Sequence, residues 1–462
     1  MNTPVEHEPR WTGLREVMRM SGPIVLGSLS FTLMEFTDMV MVAALGTDAL
    51  AAAGSAGVWS FTAGCFIFGT VGCVSTFAAQ CYGRGEFSNC ARYAWQGLYL
   101  SLLVIVMAVA LWPAARPLFG SMGHTPAVTQ LEIAYFQVRL IGYLGMTWMS
   151  VLASFFQAVN HPRVPMRIAI QCNVLNIALN YVFIFGKLGM PAMGVAGAAM
   201  ATVISQYAQV VALLGVFLSA PMHARFSSRT TWRVDFVRIR ELFRIGLPSG
   251  LTLFMDVANW GIFTSYVVGR FGAVQLASHN AAIQFMHLSF MPALGLNQGI
   301  TAIVGQHIGR SDIPRVKART YTALRIGIGY MVSVGLCFAF FGPHLLRTFF
   351  SADDDVVRLG HILLIMAAIF QGFDAINIVS SGALRGAGDT RWMAYMTFIG
   401  AYLVFLPLAM LLAYVVGWGT VGAWLGATVY VMGLSGVLFS RFRGERWRSI
   451  RIFSSEASGV SG

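Results

Sequence analysis

Four carboxylates stand where a charge is hard to keep. Glu35, Asp38, Asp256 and Asp374 lie well inside long apolar stretches of a 462-residue chain. An ionised acid at the centre of a bilayer-crossing helix costs about 2.5–3.5 kcal/mol, so four would cost on the order of 10 kcal/mol. That rivals the stability margin of a whole protein. Such acids face a cavity, hold a proton or bind a cation; the blander account is an acid hydrogen-bonded for structure. Each has polar company at helical spacing. Glu35 with Asp38, Asp256 with Asn259, and Asp374 with Asn377 are three residues apart and share a helix face. Asn173, Asn176 and Asn180 form a polar stripe on an otherwise apolar segment, which should face other helices rather than lipid. Asn280, Gln284 and His287 share a second face, with His279 beside them; helix-to-helix hydrogen bonding and substrate contact are both open for this group. Carboxylate plus amide oxygens suits a hard cation such as Na⁺, whereas a carboxylate alone suffices for a proton.

The elements that position these residues follow from composition. With 56% hydrophobic residues, 11% charged residues and a mean hydropathy of +0.67, the chain is not a soluble globular protein. Twelve segments, from 17–43 to 419–440, are apolar over the ~20 residues that a bilayer-crossing helix needs. The net charge of +12 is compatible with a nucleic-acid partner, but its placement argues against one. Arg116, Lys187, Arg270, Arg347 and Arg358 fall on one side of the predicted membrane, Arg139 lies inside the fourth segment, and the other Lys and Arg residues fall on the opposite side. That bias puts both termini in the cytoplasm and makes anionic membrane lipid the expected partner of the basic surfaces. Residues 1–20 are polar and mixed in charge, so the first apolar segment reads as a full span rather than a cleavable leader. Six cysteines (65, 73, 81, 90, 172, 337) show no metal-binding spacing and read as packing residues, with Cys90 in a cytoplasmic turn.

The chain also repeats itself. Gly46 and Leu50-Ala51 recur as Gly272 and Leu276-Ala277, and Gln80 and Gly83-Arg84 recur as Gln306 and Gly309-Arg310, all offset by 226 residues. Pro23 with Pro248, and Gly194 and Gly197-Ala198 with Gly419 and Gly422-Ala423, hold an offset of 225. The expected architecture is an all-α membrane protein with twelve transmembrane helices in two six-helix lobes related by a parallel repeat. The N-lobe is expected over 1–220, a basic cytoplasmic linker over 221–243, the C-lobe over 244–440, and a basic, partly disordered tail over 441–462.

At Asp38, Asn176, Asn180, Asp256 and Asp374 the sequence resembles a known family. Pro23 with residues 35–46 (EFTDMVMVAALG), 175–191, 244–257 and 368–390, and the paired Gln80 and Gln306 turns, are similar to the multidrug and toxic compound extrusion (MATE) transporters, closest to the NorM-like branch. The resemblance implies a secondary antiporter that expels organic, mostly lipophilic cationic compounds in exchange for Na⁺ or H⁺ by alternating access of two lobes. It implies an N-lobe cation or proton site at Asp38, Asn176, Asn180 and Thr202, with Na⁺ one occupant of Asp38, Asn176 and Asn180. It also implies C-lobe coupling acids at Asp256 and Asp374. Relatives can carry tyrosine four residues before the second of these; this chain has Phe370, which weakens the case for Na⁺ there. Glu35, Asn259, His279, Asn280, Gln284, His287 and Asn377 are the weaker candidates for a substrate cleft.

Two other readings compete. Gly386-Ala387-Gly388-Asp389 has the GxGD form of intramembrane aspartyl proteases, but it stands at a helix end where capping is the simpler account, and no partner motif accompanies it. No enzymatic activity or cofactor beyond the coupling ion is expected. The nearer rival is a flippase or exporter of a lipid-linked or cell-wall precursor in the same superfamily. Its anionic cargo would favour several buried cations, whereas Arg139 is the only basic residue well inside a span, able to pair with Glu132 or to snorkel. The expected setting is a bacterial inner membrane, with the protein a monomer.

Overall fold

A computed structural model describes residues 9–350 and 353–454; residues 455–462, most of the tail expected to lack order, lie outside that range. Twelve of its helices are long and apolar enough to cross a bilayer. They are α1 (Trp11–Ala43), α2 (Thr47–Arg84), α3 (Phe87–Gly120), α4 (Pro126–Ala158), α5 (Arg163–Phe185), α6 (Gly194–Phe217), α7 (Phe236–Phe271), α8 (Ala273–Gly309), α9 (Ile313–Phe349), α10 (Asp354–Ala387), α11 (Thr390–Val415) and α12 (Gly419–Arg443). Several, such as the 38-residue α2 and the 37-residue α8, exceed a minimal span, so they tilt or run past the hydrocarbon layer.

The duplicated residues adopt duplicated geometry. Gly46 caps α2 at φ 114° and ψ 175°, and its counterpart Gly272 caps α8 at φ 99° and ψ 177°. A side chain is strained in that left-handed region, which accounts for glycine at both places. At the start of α6 and α12, a Cβ on Gly197 or on Gly422 would lie 2.6 Å from a carbonyl oxygen, that of Phe183 or of Leu412. Gln80 and Gln306 are equally buried.

Contacts gather the chain into two compact units, whose limits differ from the repeat boundaries by half a helix each. One unit holds Met1–Val25 with Leu251–Ile452; the other holds Leu26–Gly250 with Phe453–Gly462. In the first, the opening half of α1 lies against α8: a Cβ on Gly295 would come within 2.9 Å of the Val25 Cα, and one on Gly299 within 3.1 Å of the Ser21 Cα. In the second, the opening half of α7 lies against α2, and there the glycines stand on α7. A Cβ on Gly246 would meet the Cys73 Sγ at 2.9 Å, and one on Gly250 the Thr70 nitrogen at 3.1 Å. Small residues permit this approach of backbones.

Three elements depart from the expectations above. First, α7 begins at Phe236, eight residues before the predicted 244, because its opening turns are amphipathic rather than uniformly apolar. Leu242 and Ile245 are buried there, while Phe236, Val237, Arg240, Phe243 and Arg244 are exposed. Second, Cys90 is fully buried on α3, with its thiol 3.3 Å from the Ala78 carbonyl, rather than in a turn. Third, Asp389 makes no side-chain cap for α11; it pairs with Arg441 of α12 at 2.8 Å.

The two copies also differ in regularity. Wide π-type turns occupy Phe263–Val268 of α7, and Ile399–Phe405 and Leu411–Val415 of α11, the last two flanking a short α-helical stretch that contains Pro407. A proline lacks the N–H that the helix ladder needs, and π-turns absorb such breaks.

Candidate functional site

In the unit built on Leu26–Gly250, Asp38 projects from the second half of α1 toward α5 and α6. Asn180 Nδ2 donates to Asp38 Oδ1 at 2.5 Å and to Asn176 Oδ1 at 3.1 Å. The Thr202 hydroxyl lies 3.5 Å from Asp38 Oδ2 and donates to its own helix at Ala198 O, 3.0 Å away. Both asparagines are fully buried, and Thr202 nearly so. The third member of the asparagine stripe has a structural job: Asn173 Nδ2 donates to Ser30 Oγ at 2.7 Å, tying α5 to α1. The four residues that the family resemblance grouped, Asp38, Asn176, Asn180 and Thr202, thus come together from three helices.

The cluster is not fully satisfied. Among the described residues, Asn180 Oδ1 and Asn176 Nδ2 are buried without a hydrogen-bond partner. A buried polar atom left unpaired costs about 1–3 kcal/mol, and one beside a carboxylate is ready to meet a ligand. Asp38, Asn176, Asn180 and Thr202 supply the oxygen atoms that a small hard cation takes, and the carboxylate alone takes a proton.

One resident cation faces this cluster. Arg139 of α4 attracts Asp38 and Glu35, and Tyr135, one turn before it, feels all three charges. Glu132, the partner considered for Arg139, is instead fully buried with His124, whose Nδ1 lies 3.0 and 3.1 Å from its two oxygens. Among the described residues, Arg139 Nε is buried without a hydrogen-bond partner. Glu35 itself is exposed on α1, one turn before Asp38.

In the unit built on Leu251–Ile452, Asp256 of α7 and Asp374 of α10 repel one another, and Arg385 in the last turn of α10 attracts Asp256. Asn377 Nδ2 donates to Asp374 Oδ1 at 3.4 Å. Asn259 is buried, and among the described residues its Oδ1 has no partner. Sequence reasoning missed two phenols here. Tyr402 of α11 and Tyr430 of α12 both feel the Asp256 charge, and Tyr430 that of Asp374 as well, so the hydroxyl absent at Phe370 has neighbours of the same chemistry nearby. Tyr430 is held by stacking on Phe405, ring centres 5.2 Å apart.

The α8 group divides. Asn280, Gln284 and His287 run along one exposed face, without side-chain hydrogen bonds among the described residues. His279 departs from the expectation of a cleft residue. Trp424 Nε1 donates to its Nδ1 at 3.1 Å, its Nε2 lies 2.8 Å from the Thr264 hydroxyl, and its ring sits between Phe263 and Trp424. With both nitrogens engaged in a fully buried ring, it has nothing left to offer a ligand.

Twelve membrane-crossing helices in a doubled six-helix plan, with acids and amides inside the spans, define a multi-pass membrane protein of the transporter class. The comparisons narrow that class. The family model described as MatE matches residues 23–182 and 248–411. The chain is 33% identical over 446 residues to a probable multidrug resistance protein NorM of Mesorhizobium japonicum, covering 93% of each chain. It is 30% identical to another so named from Pseudomonas syringae pv. tomato, covering 98% of this chain and 99% of that one. Its fold is similar to a solved multidrug resistance MATE family transporter of the MOP superfamily in an outward-facing conformation, with a TM-score of 0.87 at 22% identity, over 95% of this chain and 97% of that one. The chain belongs to the MatE family, the MATE transporters.

Proposed function

We propose that this protein is a secondary active multidrug efflux antiporter that expels organic, mostly lipophilic cations in exchange for Na⁺ or H⁺. The observation that carries the reading is the Asp38 cluster, a carboxylate held by Asn180 beside an unpaired amide oxygen in an apolar interior. Asp38, Asn176, Asn180 and Thr202 bind the coupling ion in one unit, and Asp256 and Asp374 contribute coupling charge in the other. Cargo and coupling ion compete for the same negative charge, so each weakens the binding of the other, and that linkage drives exchange as the sites open alternately to the two sides. Glu35, Asn259, Asn377 and the exposed Asn280, Gln284 and His287 contact cargo. The relatives named as multidrug resistance proteins support this cargo class. The protein resides in a bacterial inner membrane as a monomer, with both termini in the cytoplasm.

A second reading, export of a lipid-linked anionic precursor, draws support from Arg139 and Arg385 beside the acids. The test is efflux of a fluorescent lipophilic cation from proteoliposomes under a Na⁺ or an H⁺ gradient, for wild type, Asp38→Asn and Asp374→Asn. Efflux driven by one gradient and lost in both variants is expected, and the effective gradient names the ion. Folded wild-type protein that moves no cation under either gradient would favour the second reading.

A further inference from the structure

The connector between α6 and α7 is a strap tied down by α3. Trp95 Nε1 donates to Ser228 O at 2.8 Å, Gln96 Nε2 to Arg233 O at 3.0 Å and the Tyr99 hydroxyl to Trp232 O at 2.5 Å; Gln96 Oε1 accepts from Asp235 N at 2.9 Å. Six arginines lie between residues 225 and 244, and the structure sorts them into two sets. Arg225 bonds the Tyr82 hydroxyl at 3.0 Å and lies over the Phe87 ring, Arg229 Nε donates to Leu218 O at 2.7 Å, and Arg238 pairs with Asp235. Arg233, Arg240 and Arg244 are exposed, and among the described residues their side chains make no hydrogen bond or ion pair.

The strap's acids do not offset these three cations. Partial burial of Asp235 is outweighed by hydrogen bonds from the Arg238 backbone and side chain, which hold its carboxyl below the usual range and keep it spent on that partner. Glu241 is buried and accepts from the Tyr93 hydroxyl at 2.5 Å and from Ser454 N at 2.6 Å. Large apolar side chains lie beside the free cations: Trp232, Phe236 and Phe243 are 55%, 80% and 41% exposed. Phe236, Arg240, Phe243 and Arg244 fall at i, i+4, i+7 and i+8, one stripe of the helix.

We propose that residues 232–244 form a docking surface for anionic phospholipid headgroups, with Arg233, Arg240 and Arg244 meeting the phosphates and Trp232, Phe236 and Phe243 seated in the interfacial layer. The stripe opens α7, a membrane-crossing helix, so it lies where the chain meets the bilayer. Aromatic rings favour that layer, and arginine stems lie along apolar surface while their heads reach the headgroups. A zwitterionic lipid balances its own phosphate with an ammonium, whereas an anionic headgroup leaves its charge to the protein. Three unspent guanidiniums therefore select the anionic lipid, and this holds whatever cargo the protein carries.

The test uses the full chain in nanodiscs of phosphatidylcholine with a minority of phosphatidylglycerol, with bound lipid read by native mass spectrometry. Wild type is expected to retain phosphatidylglycerol preferentially. In Arg233→Gln/Arg240→Gln/Arg244→Gln the preference should fall by about five-fold per arginine at low salt, while the corresponding triple Lys variant keeps most of it. Trp232→Ala/Phe236→Ala should weaken retention of both lipids alike. An unchanged preference in the triple Gln variant, melting as wild type does, would overturn the proposal, as would equal displacement of the lipid by free inorganic phosphate.

Discussion

With Arg139 attracting both Glu35 and Asp38, this cluster carries a balancing cation before any ligand arrives. Arg139→Gln should therefore bind a monovalent lipophilic cation more tightly, by about ten-fold, within the ~5–150-fold range typical of coupling between sites. Equilibrium binding of a fluorescent cation checks this, and equal or weaker binding would show that Arg139 does not act on the cargo site. His279 belongs to stability instead. His279→Ala strands Trp424 Nε1 and opens a cavity, so it should cost about 2–4 kcal/mol and lower the melting temperature in detergent, with transport retained per folded molecule. The acids and the asparagine stripe were legible because polar residues in apolar spans are few and helical spacing groups them; Thr202 came only from the family resemblance. Arg139 stood out too, but its partners lie on another helix. Tyr402 and Tyr430 were hidden among many aromatic residues, and only the folded chain puts them within range of the Asp256 charge.

At the scale of elements, backbone approaches limit what can change. Gly250→Ala puts a Cβ 3.1 Å from the Thr70 nitrogen, and Gly299→Ala puts one at that distance from the Ser21 Cα; each should destabilise by about 1–3 kcal/mol. Thermal unfolding checks both, and adding Ser21→Gly to Gly299→Ala should recover much of the second loss, since the Ser21 side chain is what the new methyl meets. A pair that shows no recovery would mean that the backbones, rather than these side chains, set the distance. The twelve spans were legible from apolarity alone, and the early start of α7 was not. Between Phe236 and Arg244 polar and apolar residues alternate around the helix, so the average hides a helix that the facewise pattern reveals. The π-turns of α7 and α11 left no mark beyond Pro407, because a widened turn is decided by neighbouring helices.

Across the whole molecule, the charge asymmetry predicts which loops face the cytoplasm. In a background without the native cysteines, Arg233→Cys should react with a membrane-impermeant maleimide only in inside-out vesicles, and Lys187→Cys only in right-side-out ones. Reversed labelling would invert the topology. The duplication was legible because its glycines answer to backbone geometry, which drifts less than side-chain chemistry: Gly46 and Gly272 still share one conformation. The limits of the contact units were not legible, since no composition change marks the middle of α1 or α7.

The glycine contacts also hold a historical consequence. Where α1 meets α8 the glycines are on α8, and where α7 meets α2 they are on α7. The two halves have thus diverged into a matched set: at both seams the second half leaves the room and the first half carries the bulk. Gene conversion that overwrote one half with the other would bring Ser21 and Val25 against a copy of the Thr70 and Cys73 side chains, or set glycine against glycine across a void. After the duplication, the ancestral symmetry became a state to which the chain cannot return by copying itself.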